Sequence, residues 1–255
     1  MIDLHCHILP GIDDGAQTMT DALAMAEAAV ESGITHILCT PHHRNGKYLN
    51  PKYEVIQAVA DLQARLDEEG IPLTVFEGQE IRVTGELLTD RESGQLLGTD
   101  TEDRYLLMEF PSIEIPYFAE SLFLTLIGEG VTPVIVHPER NGGFIEDPNA
   151  LIPFLEMGCL AQLTAPSYVG VFGKKIQKTA KQMVKHGLVQ CVASDAHNLK
   201  GRKFYLAEAY NAIRKDFGTE KERYFKEVAK CMINGDDIHV APYSPVKTGF
   251  LGLFD

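Results

Sequence analysis

Short apolar runs alternate along the chain with longer segments whose apolar positions recur at helical spacing. A first short strand lies within Ile2-Asp3-Leu4-His5-Cys6-His7. Leu23, Ala26, Ala29 and Val30 then form one stripe, which predicts a helix capped by Thr18 or Thr20 and stopped by Gly33. A strand follows over 34–40. Asn50-Pro51 reads as a cap and first helical residue ahead of Val55, Ile56, Val59, Leu62 and Leu66, with Gly70 as terminator. Further strands are predicted at 73–78, 105–110, 131–136, 159–164 and 188–193. The stretch 84–103 is less regular. Helices are predicted at 115–129, closed by Gly130, at 148–157, at 174–186, and through much of 202–234.

Strands such as Val134-Ile135-Val136 are apolar throughout, as expected when both faces of a parallel sheet are covered. Alternation of about seven strand–helix units predicts an α/β fold, a closed or nearly closed barrel, in one domain over residues 1–255. From about residue 235 onward, Pro242 and Pro245 mark an irregular tail whose role the sequence does not disclose.

Composition narrows the chemistry. The chain has 255 residues, with 36 acidic against 23 basic side chains and a formal charge of -13, which opposes general attraction to nucleic acid or an anionic membrane. A phosphorylated substrate would need local positive charge. Cys6, Cys39, Cys159, Cys191 and Cys231 are isolated and mostly within apolar runs, which suits reduced core thiols better than a disulfide framework. No signal-peptide pattern and no apolar run near the ~20 residues of a membrane span is present, so a cytoplasmic location without membrane insertion is expected.

His5 and His7 are two apart, so in a strand both imidazoles lean the same way from backbone positions roughly 6.5 Å apart. Alone, such a pair is more often a surface or satisfied core feature. Further clusters follow at Thr40-Pro41-His42, Gly78-Gln79-Glu80, Met108-Glu109-Phe110, His137-Pro138-Glu139-Arg140 and Ser194-Asp195-Ala196-His197. His7, His42, Glu80, Glu109, His137 and Asp195 all fall at or just past the C-terminal ends of predicted strands, the rim that carries active sites in barrel enzymes. Oxygen and nitrogen donors without thiolate suit manganese, iron or zinc.

These motifs, together with Asp13-Asp14-Gly15 and the segment from Ser194 to Arg202, resemble in order and approximate spacing the PHP superfamily of polymerase and histidinol phosphatases. Within it, the chain is most similar to the bacterial manganese-dependent protein-tyrosine phosphatases of capsule and exopolysaccharide systems. The resemblance spans nearly the whole chain and implies a distorted TIM-like barrel of seven β/α units holding three divalent ions, manganese by family expectation. By position it places His5, His7, Glu80 and Asp195 on a first metal. Glu80 would bridge to a second held also by Glu109 and His137, and Asp14, His42 and His197 would hold the third.

His43 would point elsewhere if its segment is extended, Asp13 would shape the turn, and His36, His186 and His239 lack a cluster. Three divalent ions against the carboxylates of Asp14, Glu80, Glu109 and Asp195 leave a surplus of positive charge suited to a phosphomonoester dianion. Arg140 and Arg202 are placed to grip phosphate oxygens, or alternatively to pair with a rim carboxylate. The implied reaction is direct hydrolysis by a metal-activated hydroxide, with no covalent phosphoenzyme.

The implied substrate is the phosphotyrosine tail of a partner bacterial tyrosine kinase. Phe110, Tyr117, Phe118, Tyr168 and Phe172 are candidate contacts for the tyrosine ring. Two other readings share the donor set: a small-molecule phosphomonoesterase such as histidinol phosphatase, and a metal-binding regulatory protein without catalysis. Asp14 and Glu109 stand where many small-molecule and polymerase-associated members carry histidine, which favours the tyrosine phosphatases.

Overall fold

The computed structural model describes residues 1–247 as parallel strands connected by helices. β1 (Ile2–Cys6) leads through a loop to α1 (Met19–Glu31). Thr18, not Thr20, caps this helix: its hydroxyl accepts from Asp21 N, and the Asp21 carboxylate accepts from Thr18 N, closing a reciprocal capping box. The buried stripe is Ala22, Met25, Ala26 and Ala29, with Leu23 and Val30 only partly covered.

β2 (His36–Cys39) pairs with β1 and with β4 (Thr74–Glu77), and α2 (Lys52–Glu69) crosses between β2 and β4. Pro51 is the residue before that helix and makes no side-chain cap. Asn50 instead donates its side-chain amide to the carbonyls of Ile12 and His42, tying three loops together.

The sequence reading ends two strands too early. Past Thr40-Pro41 the chain forms β3 (His42–His43), and past Gly78-Gln79 it forms β5 (Glu80–Arg82). His42 and Glu80 therefore do not trail from β2 and β4 but begin strands of a second sheet. That sheet continues through β6 (Tyr105–Glu109), β7 (Thr132–Val136), β8 (Leu160–Thr164) and β9 (Cys191–Ala193), all parallel. Pro41 has no N–H to give to a ladder and Gly78 packs against Leu38, so each strand is interrupted there. A parallel bridge between Cys6 and Ala196 links the first sheet to the segment after β9.

The stretch expected to be irregular contains α3 (Leu87–Glu92). α4 (Ala119–Gly128) is shorter than predicted at its start, and short α5 (Gly142–Glu146) follows β7. The helix predicted over 148–157 is a 3-10 turn at Pro148–Leu151 running into α6 (Ile152–Met157). α7 (Ala165–Val169) sits directly after β8, ahead of α8 (Lys174–His186). The last helical region splits at Gly218 into α9 (Leu206–Phe217) and α10 (Thr219–Asn234).

Strand parity sorts the core into two. Tyr105 and Leu107 of β6, Val134 and Val136 of β7, Leu160 of β8, and Cys191 and Ala193 of β9 share one apolar cluster with Val228, Ala229 and Met232 of α10. Leu106, Met108, Phe110, Ile135 and Leu163 face the other way and pack with the outer helices. Glu109, Gln162 and Asp195 continue the first parity beyond this apolar layer, so the polar site lies on the face and at the end where the strands finish.

After Gly235 no helix or strand forms up to residue 247. This segment is nonetheless anchored: Val246 is buried and exchanges two hydrogen bonds with the Asn149 side chain, and Ser244 N donates to His186 O. The rest of the predicted tail, 248–255, lies outside the described residues. The five cysteines are unpaired, and Cys6, Cys39, Cys159 and Cys191 are buried. Among the described residues, no helix is long and apolar enough to cross a membrane.

Candidate metal centre

His5 sits near the end of β1 and His7 just beyond it, and their Nε2 atoms converge to 3.1 Å. Glu80 Oε2 lies 3.4 Å from His5 Nε2 and 3.3 Å from His7 Nε2, and Asp195 Oδ1 lies 3.5 and 3.4 Å from the same two atoms. Donors held about 2.1 Å from one tetrahedral ion lie ~3.4 Å apart, the spacing found between the two imidazoles and from each imidazole to either carboxylate. These side chains therefore fit a divalent ion. His5, His7, Glu80 and Asp195 are essentially inaccessible to solvent, so the desolvation of the two carboxylates has to be offset by the surrounding histidines and arginines and by any ion held among them.

The donors are aimed from behind. His5 Nδ1 donates to Gln162 Oε1 at 2.7 Å, His7 Nδ1 to Asp13 Oδ2 at 2.6 Å, and His197 Nδ1 to the Asp195 carbonyl at 3.0 Å. Each bond fixes the tautomer and leaves an Nε2 lone pair facing the cluster. Glu80 Oε2, Asp195 Oδ1, Glu109 Oε2, His42 Nδ1 and His197 Nε2 are buried without a hydrogen bond. Glu80 Oε2 and His42 Nδ1 are only 2.7 Å apart, yet their alignment does not make a hydrogen bond. Convergence without donor–acceptor alignment is what ligands around a shared cation require.

Asp14, His42 and His197 also meet. Asp14 Oδ1 lies 3.4 Å from His42 Nε2 and 3.5 Å from His197 Nε2, and with His7 these donors fall within 4.8 Å of one another. His42, Glu80 and Glu109 form a further group within the same span. His137 Nε2 lies 2.7 Å from Glu80 Oε1, the oxygen turned away from His5 and His7. Glu109 is drawn toward His42 and Arg82, whose guanidinium lies 2.9 Å from Glu109 Oε2; Arg82 stands opposite Glu109 in the register of β5 and β6. All nine expected donors thus belong to one connected cluster.

Electrostatics follow from that crowding. Burial would raise the Glu80 and Asp195 carboxyls, but His5 and His42 beside Glu80, and Arg140 and His5 beside Asp195, hold both well below the ordinary range. Glu109 is pushed up to about 7 by burial and by the neighbouring Glu80 charge. His137 and His197 are each lowered to about 4, chiefly by burial, with Arg140 and His7 respectively adding to it. Against burial, Asp13 raises His7 and Glu80 raises His42 to about 9, so in the absence of an ion protons hold part of the cluster that a cation would take over. His137 and Asp195 also adopt positive φ, 38° and 52°, a conformation that costs side-chain-bearing residues about 1–3 kcal/mol.

Arg140 and Arg202 reach the same carboxylate. Both guanidiniums donate to Asp195 Oδ2, Arg202 at 2.8 Å, and both side chains remain partly exposed at the edge of the cluster. His43 points away, donating Nδ1 to Asn50 O at 2.8 Å. Asp13 does more than shape its turn: besides accepting from Gly15 N, it orients His7 and receives His42 N. Gln162 and Arg82 were not anticipated. A glutamine inside the buried strand Leu160–Thr164 was the available signal for the first.

Of the aromatic candidates, Phe110 and Tyr168 take up core positions. Phe110 is in the core against Phe123, Phe144 and Phe154, because adjacent Glu109 takes the site-facing direction. Tyr168 is fully buried, with its hydroxyl bonded to Asp216. Phe172 lies under Arg140 at 5.4 Å, Tyr117 is almost wholly exposed, and Phe118 packs edge-on against it. Tyr48, which the sequence did not single out, stacks parallel to His42 at 6.2 Å.

Fold and site together define a parallel α/β protein with a multi-donor metal-type centre at the C-terminal end of its strands. The chain belongs to the capsular polysaccharide synthesis CpsB/CapC family, whose profile matches residues 1–234. It is 44% identical to the tyrosine-protein phosphatase YwqE of Bacillus subtilis over 247 residues, covering 97% of each chain. It is 36% identical to the putative tyrosine-protein phosphatase CapC of Staphylococcus aureus, covering 89% of both. A crystal structure from work on YwqE and on CpsB of Streptococcus pneumoniae, described as unique metal-dependent tyrosine phosphatases, superposes with a TM-score of 0.93 at 43% identity. That match covers 97% of this chain and 100% of the other. An organophosphorus hydrolase from Deinococcus radiodurans superposes at 0.51 with 12% identity over 91% of this chain and 92% of its own, a likeness of fold alone.

Proposed function

We propose that this chain is a metal-dependent protein-tyrosine phosphatase. The observation that carries the reading is the approach of Glu80 and Asp195 to both His5 and His7 at 3.3–3.5 Å, with two arginines on the Asp195 carboxylate. The relatives named as tyrosine phosphatases support it. We read the two sheets as one distorted barrel of about seven β/α units in a single domain, with β2–β3 and β4–β5 as interrupted strands. The Cys6–Ala196 bridge supports that closure.

In this reading His5, His7, Asp14, His42, Glu80, Glu109, His137, Asp195 and His197 hold three divalent ions, manganese by preference. Bound there, the ions would supply a hydroxide nucleophile at neutral pH and neutralise charge on the phosphoryl group. Gln162 and Asp13 keep His5 and His7 in one tautomer, so the donors need no reorganisation. Arg140 and Arg202 are poised by Asp195 and offer their remaining N–H donors to phosphate oxygens at the exposed edge. A phenol leaves with a pKa near 10, so protonation by a strong general acid is not required. The physiological substrate is then the phosphotyrosine tail of a bacterial tyrosine kinase acting in capsule synthesis, met in the cytoplasm.

The test compares a phosphotyrosine peptide, a phosphoserine peptide and histidinol phosphate with manganese-loaded protein. The phosphotyrosine peptide should be hydrolysed preferentially, His137→Ala should abolish turnover, and Arg202→Ala should chiefly raise KM. Turnover of histidinol phosphate without action on the peptide would overturn the assignment.

A further inference from the structure

A cleft of about 680 Å³ opens beside the donor cluster, and Asp14 and His197 form part of its wall. Pockets of ~300–1,000 Å³ enclose whole drug-sized ligands, so this one has room for more than a single aromatic ring. Two tight turns contribute to its lining, one starting two residues after donor His42 and one starting at donor His197. In the first, Arg44 N donates to Tyr48 O, and Asn45 Oδ1 accepts from Lys47 N at 3.1 Å and Tyr48 N at 2.9 Å. In the second, His197 N and Asn198 N donate to Arg202 O, and Asn198 Oδ1 accepts from Lys200 N, Gly201 N and Arg202 N.

Each clamped turn presents one lysine to the cleft, Lys47 and Lys200, both exposed. Neither makes an ion pair with a side chain among the described residues; Lys47 lies over the Tyr48 ring at 4.6 Å. Of the acidic residues lining the cleft, Asp14 belongs to the donor cluster and Asp21 is engaged by the N–H and hydroxyl of Thr18. Lys47 is held by Tyr48 and attracted by Asp14, and Asp21 is the one carboxylate of the lining outside the donor cluster. On a chain of formal charge -13, two exposed lysines at one opening next to the reactive centre therefore form a local exception. Their pre-ordered backbones lower the entropy cost of meeting a ligand.

We propose that this cleft receives the residues adjoining the phosphotyrosine, and that Lys47 and Lys200 select substrates with an acidic side chain beside the phosphorylated residue. The proposal rests on the phosphotyrosine reading above. Tyr48 and Leu199 supply apolar surface for the peptide between the lysines and the centre.

Two phosphotyrosine peptides differing only in acidic or amide residues next to the tyrosine, Asp/Glu against Asn/Gln, provide the test on the metal-loaded protein. Partly exposed charge pairs change affinity by a few-fold each, so the acidic peptide should show KM lower by about 5- to 20-fold at equal kcat. A non-hydrolysable phosphonate version of each peptide should give the same ratio in Kd by fluorescence anisotropy. Lys47→Ala combined with Lys200→Ala should bring both ratios close to one, and ~1 M salt should do likewise in the unmodified protein. Equal KM and Kd for the two peptides, or a preference that survives the double substitution, would overturn the selection. Failure to hydrolyse either peptide would instead count against the phosphatase reading, while the phosphonate titration still tests the cleft.

Discussion

Gly15 is the position where a single methyl group should dismantle the site without touching a donor. The turn Asp13-Asp14-Gly15 packs so closely on His7 that a Cβ at residue 15 would stand 1.9 Å from the His7 carbonyl oxygen and 2.6 Å from its Cβ. Real Cβ contacts stop near 3.0 Å, and the obstacle is backbone, so the turn has to open by about 1 Å. Opening breaks Ala16 N to His7 O, Gly15 N to Asp13 Oδ1, and His7 Nδ1 to Asp13 Oδ2. At about 1 kcal/mol per bond, the local loss is on the order of 3 kcal/mol.

The functional cost is larger, because Asp14 moves with the turn and His7 loses its orienting carboxylate. A misplacement of about 1 Å is worth roughly 100-fold in turnover. Gly15→Ala should therefore resemble Asp14→Ala in bound manganese measured by mass spectrometry and lose about 100-fold in kcat/KM on p-nitrophenyl phosphate, while far-ultraviolet circular dichroism stays unchanged. A variant that keeps its metal content and stays within about twofold of the parent kcat/KM would refute the close-approach argument.

Other consequences are more local. Asp13→Ala should weaken metal affinity about 10- to 100-fold in a chelator competition, since His7 then lacks the partner that fixes its tautomer. Removing divalent ions should lower the melting temperature, and manganese should restore it, because buried Glu80, Glu109 and Asp195 repel one another without a cation. Tyr168→Phe should cost about 1 kcal/mol in denaturant unfolding through the lost bond to Asp216 and leave KM for a phosphotyrosine peptide unaltered, as befits a core residue.

Much of this site could be read from the chain before folding because most of its donors stand at or just past the ends of apolar runs. Apolar runs report burial, and residues at their C-terminal ends share one edge of a parallel arrangement. Direction was harder. Glu109 and Phe110 are neighbours, and only strand pairing determines which of them faces the cluster. The answer sends Phe110 to the outer helices, and the same parity puts Gln162 behind His5. The breaks at Pro41 and Gly78 were visible as residues, but not as places where each chain leaves one sheet and starts another.

Sequence alone determined the order of elements, the chemical identity of the donors and the acidic balance of the chain, because these depend on local periodicity and side-chain type. Tertiary structure decided that Glu80 and Asp195, the latter 190 positions from His5, come within 3.5 Å of both His5 and His7, and which of their atoms face inward. It also brought Lys47 and Lys200 to the lining of one cleft. Distances between remote residues arise from strand register and helix packing, which no local pattern encodes.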